Sequence, residues 1–139
     1  VTVVAVVDRD RGPEVLLEAA SRAEELGTDV HAVYVLALGR LATLELTLSE
    51  RVGIPVGLDL IRERCRRIAD EVAGEVLEEY EPVGLLGVPE EEILAYAESV
   101  DADRIVVDGR ANWHVDAFNP LRDTGEGLRA GEIPIVPVY

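Results

Sequence analysis

The chain has 139 residues, a single cysteine and a formal net charge of −15, with 28 acidic side chains against 13 basic ones. That length suits one domain, 1–139, with a core of its own. The acidity excludes the basic footprint that nucleic acid demands and disfavours anionic membrane surfaces, and no apolar run approaches spanning length.

Every basic residue is an arginine. The acids are spread along the whole chain, as expected for a halophilic protein whose self-repulsion is screened by high salt. An acidic partner-binding surface is the alternative. Cys65 has no second cysteine to pair with and fits a reducing cytoplasm, where the sequence places the protein. No basic segment or cleavage pattern precedes the first apolar run, so no signal peptide is read.

Val1 to Val7 is a β-branched run, expected as a central strand buried on both faces. Asp8 to Gly12 follow as a turn, and Pro13 suits the first position of a helix striped by Leu16, Ala19, Ala20, Ala23 and Leu26, with Gly27 as its stop. Val30 to Leu36 reads as strand two. Residues 37–56 fit both a strand (Leu44, Leu46, Leu48) and a helix (Leu41, Leu44, Leu48, Val52), and Gly53 to Pro55 break them. A long helix carries the stripe Leu58, Ile61, Cys65, Ile68, Val72 and Val76. Its basic residues Arg62, Arg64, Arg66 and Arg67 sit among Glu63 and Asp70 as a solvated, ion-paired face.

Pro82 to Leu86 is the third strand. Pro89 opens a helix with Glu90, Glu91 and Glu92 at its positive end and Ile93, Ala97 and Val100 inward. Arg104 to Val107 is the fourth strand, Asn119-Pro120 starts a last helix, and Ile133 to Val138 closes the chain. Strands alternating with helices predict an α/β doubly wound domain with a parallel sheet and helices on both faces. In such a sheet ligands sit beyond the carboxyl ends of the strands, so the residues after Val107 report on binding.

Gly87-Val88-Pro89-Glu90-Glu91-Glu92-Ile93-Leu94-Ala95-Tyr96-Ala97, then Asp101-Ala102-Asp103-Arg104-Ile105-Val106-Val107, resemble the universal stress protein family, with its G-x-P-x-x-x-I-x-x-x-A helix and G-A-D-x-I-V-M-G strand. Asp8 at the end of the first strand, Tyr34-Val35 in the second, and Ile133-Pro134-Ile135-Val136-Pro137-Val138 at the close agree as well. The likeness covers nearly all of the chain outside 37–56. It implies a five-stranded parallel sheet of order 3-2-1-4-5, of the adenine nucleotide alpha hydrolase-like, Rossmann-like kind.

Nucleotide-binding members carry G-x-x-G, nine residues, then G-[ST] after strand four. Glycines there let backbone N–H groups reach phosphates beside a helix N-terminus. Ungapped alignment sets Asp108, Ala111, Leu121 and Arg122 at the four motif positions, and none matches. A shift of one places Gly109 first, but then Asn112 and Arg122. A carboxylate at the first position repels a polyphosphate. The resemblance therefore implies a vestigial nucleotide site around Asp8, Val35, Gly109, Arg110 and Asn112, with no cofactor bound in the usual manner. The alternative is ATP or AMP on a rearranged loop. Asp8 also suits a turn cap, and Val35 plain strand packing.

Other chemistry is thin. A receiver domain needs a phosphoacceptor aspartate at the third strand and a lysine near the last, where the chain offers Leu85-Leu86-Gly87 and no lysine at all. A P-loop lacks its lysine, and a dinucleotide turn lacks its glycines. His114, Asp116 and Asp108 have weak metal spacing and read as loop chemistry, so no metal is expected. Cys65 reads as core. No catalytic residue is assigned and the chain is expected not to be an enzyme. Trp113 and Phe118 read as a plug for the empty pocket, with a hydrophobic anchor for a partner as the alternative.

The resemblance further implies a homodimer through the last strand, an edge in this order, using Ile133, Ile135, Val136, Pro137, Val138 and Tyr139. Pro134 and Pro137 lie three apart, so one of them removes a donor from the outward edge. The expected function is a dimeric stress-response or regulatory module with an unknown protein partner, no nucleic acid and no membrane insertion. A regulatory domain acting on a membrane transporter is a further alternative that the family suggests.

Overall fold

A computed structural model of the chain describes residues 2–9, 13–37, 57–109 and 133–138. Eight elements run through these residues: β1 (Thr2–Val6), α1 (Glu14–Leu26), β2 (Asp29–Ala37), α2 (Leu58–Gly74), β3 (Glu81–Gly87), α3 (Pro89–Ser99), β4 (Ala102–Asp108) and β5 (Ile135–Val138). They form a five-stranded sheet of order β3-β2-β1-β4-β5 in which every pairing is parallel. The expected order is the observed one. The expected last helix and the ambiguous stretch lie outside the described residues, apart from Ala37, which ends β2.

β1 is central, and all of its residues are buried. Its side chains alternate between the faces. Val3, Ala5 and Val7 meet Leu16, Ala19 and Ala23 of α1 and Ala69 and Ala73 of α2. Val4 and Val6 meet Ile93 and Ala97 of α3 with Ile105 and Val107 of β4. Small alanines on the helices let them lie close to a β-branched sheet. Leu16 and Ile93 fill the two layers; burying each contributes about 2 kcal/mol.

Two glycines explain the close packing on β3. A side chain at Gly84 would run into the backbone of α2 at Arg62 and Arg66, and would meet the Cys65 Cβ at 2.8 Å. Gly87 has φ 138, a region that costs any other residue dearly, and it turns the chain so that Pro89 opens α3.

The sequence boundaries need adjustment. Pro13 stands just before α1 as its cap, with φ −79 and ψ 1, instead of within it. Val76 lies past the end of α2, yet still packs on the core: its N–H donates to the Ala73 carbonyl over 3.0 Å, so a tightened turn replaces helix. β2, β3 and β4 each extend beyond the expected spans because ladder bonding tolerates the polar ends Asp29, Glu81 and Asp108. β5 is shorter than expected. Ile133 and Pro134 precede it, although the Pro134 carbonyl already accepts from Ile105 N–H at 2.9 Å.

Candidate functional site

The carboxyl edge of β2, β1 and β4 is where the fold would hold a ligand. Val6 pairs with Val33, and Ala5 with Val106. Carried forward at the same register, Asp8 comes level with Val35 on one side and Gly109 on the other. Three of the five expected site residues are therefore brought into one row across adjacent strands. Arg110 and Asn112 lie outside the described residues, as do Ala111, Trp113, His114, Asp116, Phe118, Leu121 and Arg122.

Asp8 is exposed at the end of this row, past Val7, whose N–H donates to the Val33 carbonyl at 2.9 Å. Arg9 reaches Glu71 of α2 at 3.8 Å, an exposed and weak pair. Val35 is half-buried against the α3 layer. Asp108 is different: it is only 5 % exposed. By strand alternation it shares the face of Val106, which packs with α1. A carboxylate is thus enclosed by the fold at the position aligned with the first phosphate-loop glycine. Beside it, Gly109 N–H donates to the Val138 carbonyl at 2.9 Å. That backbone donor is used in closing β4 onto β5.

The outer side of β5 can be read from the same bonds. A strand residue sends its N–H and C=O to one side. Pro134 and Val138 carbonyls accept from β4, so residues 134, 136 and 138 face inward. Ile135 and Pro137 face outward, and Pro137 is the proline that removes an edge donor. Between 135 and 138 the open edge keeps only the N–H of Ile135. Val136 and Val138 pack toward α1, while Ile135 packs toward α3. Ile133 is 7 % exposed within the chain's own core. Tyr139 lies outside the described residues.

Elsewhere the titratable groups have structural explanations. Cys65 is 2 % exposed, and burial pushes its thiol up, away from the reactive thiolate. On the arginine face of α2, Arg66 binds Glu63 at 2.7 Å and Arg67 lies 3.6 Å from it. The Arg66 hydrogen bonds hold the Glu63 carboxyl below its ordinary range. Asp70 instead accepts the Tyr80 hydroxyl at 2.5 Å. Among the described residues, no group of three or more histidine, cysteine or acidic side chains is placed to hold a metal ion. No described helix is long and apolar enough to cross a membrane.

The opposite, amino edge holds what the sequence did not disclose. A cleft of about 440 Å³ opens where α1 ends and β2 and β3 begin, lined among others by Glu24, Asp29, His31, Glu79, Tyr80 and Glu81. His31 Nδ1 lies 2.6 Å from the Tyr96 hydroxyl of α3. Sixty-five positions separate the pair, and no local pattern marks it.

The fold has close counterparts. A universal stress protein from Archaeoglobus fulgidus is 22% identical, with a TM-score of 0.55 over 99% of this chain and 93% of its own. The same organism's protein in complex with dAMP is 23% identical, with a TM-score of 0.52 over 99% and 96%. A universal stress protein in complex with cAMP is 16% identical, with a TM-score of 0.53 over 99% and 95%. No curated protein matches in sequence. The model of the universal stress protein family matches residues 2–118, and the chain belongs to that family.

Proposed function

We propose that this chain is a non-enzymatic, dimeric regulatory module of its family that does not take up ATP in the usual manner. The observation that carries the reading is the enclosed Asp108 carboxylate beside a Gly109 N–H already bonded to β5. Two unit charges about 4 Å apart repel by roughly 4 kcal/mol at an effective dielectric near 20. A triphosphate laid along this edge would meet that repulsion without the compensating main-chain donor. Calorimetric titration with ATP, AMP and cyclic AMP in molar potassium chloride is the test. No saturable binding is expected, and micromolar affinity for ATP would overturn the reading.

The second reading is an adenine-nucleotide-binding member with a rearranged phosphate loop. It is favoured by the row of Asp8, Val35 and Gly109, and by related proteins in complex with dAMP and cAMP. Under it, AMP binds more tightly than ATP, because fewer phosphates approach Asp108.

We place the protein in the cytoplasm, as a homodimer through β5. The single outward donor of the strand supports a short ladder supplemented by side-chain packing. A monomer at micromolar concentration in high salt, seen by sedimentation, would remove the dimer from the proposal. The charge of −15 supports salt adaptation, and thermal stability should rise by about 5–10 °C between dilute buffer and molar salt.

A further inference from the structure

His31 sits near the start of β2, level with Val4 of β1 and Glu81 of β3. Its ring and that of Tyr96 lie 5.9 Å apart at 43°, with the hydroxyl 2.6 Å from Nδ1. A contact this short needs one proton between the two atoms. The phenol keeps its proton at neutral pH, and burial, then Glu81, push Tyr96 further up. The arrangement that suits a neutral ring has Tyr96 donating to Nδ1 and the imidazole's own hydrogen on Nε2.

The surroundings pull the other way. β3 brings Glu81 and β2 brings Asp29, both of which favour imidazolium. α3 brings the Tyr96 hydroxyl, β1 presents Val4, and the positive chain N-terminus opposes the imidazolium. No arginine is among the lining residues of the amino-edge cleft. Burial holds the His31 ring below its ordinary value against the two carboxylates. The site is thus balanced between a neutral state bonded to a helix and a charged state drawn to acids.

We propose that His31 and Tyr96 form a proton-operated clasp between β2 and α3. On acidification Nδ1 takes a proton from solvent and can no longer accept from Tyr96. The imidazolium is then a donor at both nitrogens. Carboxylates accept from it more strongly than a phenol oxygen does. The ring is drawn toward Glu81 and Asp29, and the last turn of α3 loses its tie to the sheet.

The test is NMR titration of His31 together with hydrogen exchange of the amides at Tyr96–Val100, corrected for intrinsic rates. The His31 midpoint should lie below 6.5 in the wild type. It should move up in Tyr96→Phe, which removes the donor, and further down in Glu81→Gln, which removes the pull. Exchange in the last turn of α3 should quicken by roughly fivefold below the midpoint, the loss of one hydrogen bond of ordinary net strength. In His31→Gln it should be independent of pH. An unchanged His31 midpoint in Tyr96→Phe, or exchange that stays flat with pH in the wild type, would overturn the clasp. Should His31→Gln fail to fold, the two titrations on the other variants still decide.

Discussion

The two ends of the sheet make a useful contrast. The carboxyl edge is where family motifs converge, and there Asp108 is buried and Gly109 is bonded to β5, while Asp8 is exposed. The amino edge carries no motif, yet it has an open cleft, four carboxylates and a histidine 2.6 Å from a tyrosine hydroxyl. Motifs thus locate the edge that resembles the family, whereas responsiveness depends on groups poised between two states. A half-buried imidazole with competing partners is one such group.

The strongest way to break this contrast is to open the carboxyl edge. Asp108→Asn removes a negative charge while keeping shape. If like charge is what bars the phosphates, affinity for ATP should rise by at least tenfold, read by calorimetry in molar salt. An unchanged titration would mean that the filled backbone position, and not the charge, closes the edge. Next in size is Gly87→Val, at the carboxyl end of β3. With φ 138 and an added Cβ only 2.6 Å from Glu92 Oε1, it should cost about 3 kcal/mol in urea unfolding. A loss under 1 kcal/mol would show that the turn into α3 relaxes freely.

The start of the carboxyl edge was legible because its information is local: the apolar run to Val107 reads as a buried strand, but that Asp108 extends the strand and is buried was not read. The sheet order followed from alternating strand and helix segments together with the family resemblance. Helix stripes such as Ile61, Cys65 and Ile68 matched the core because period and burial have one cause. The failures are equally physical. Pro13 sits one residue and Val76 two residues outside their helices, since apolar stripes continue through caps and turns while hydrogen bonding does not. Which proline faces the open edge of β5 required the ladder bonds. The His31–Tyr96 pair depends on two residues from separate elements meeting only after the sheet is assembled, and nothing near either residue announces it.

A smaller effect sharpens the picture of the amino edge. Tyr80 lines the cleft and donates to Asp70 at 2.5 Å and to its carbonyl at 3.1 Å. That bond raises the Tyr80 phenol above 10.0, so its stabilisation is complete below pH 10 and is lost as the pH climbs through the raised value. Tyr80→Phe should cost about 1 kcal/mol at neutral pH and remove this alkaline loss. Equal alkaline slopes for the two proteins would show that the bond contributes nothing in solution.

The smallest expected effect is the most discriminating, because it isolates one proton. His31 binds its proton less readily in the folded chain than at the ordinary 6.5, chiefly through burial. The unfolded state therefore holds more protons in mildly acidic solution, and linkage makes stability rise with pH across that window. The contribution is fully present above 6.5 and fades as the pH falls toward the lowered value. The background runs the other way: a chain with 28 acids and 13 bases sheds self-repulsion as carboxylates protonate. The raw pH profile will mask the histidine. The difference between wild type and His31→Gln, measured by urea unfolding at matched molar salt, cancels the shared background. That difference should favour the wild type progressively more from pH 5 to 7 and then level off. A difference that runs in the opposite direction would mean that Glu81 and Asp29, not burial and Tyr96, govern the ring, and the amino edge would then hold a standing ion pair instead of a switch.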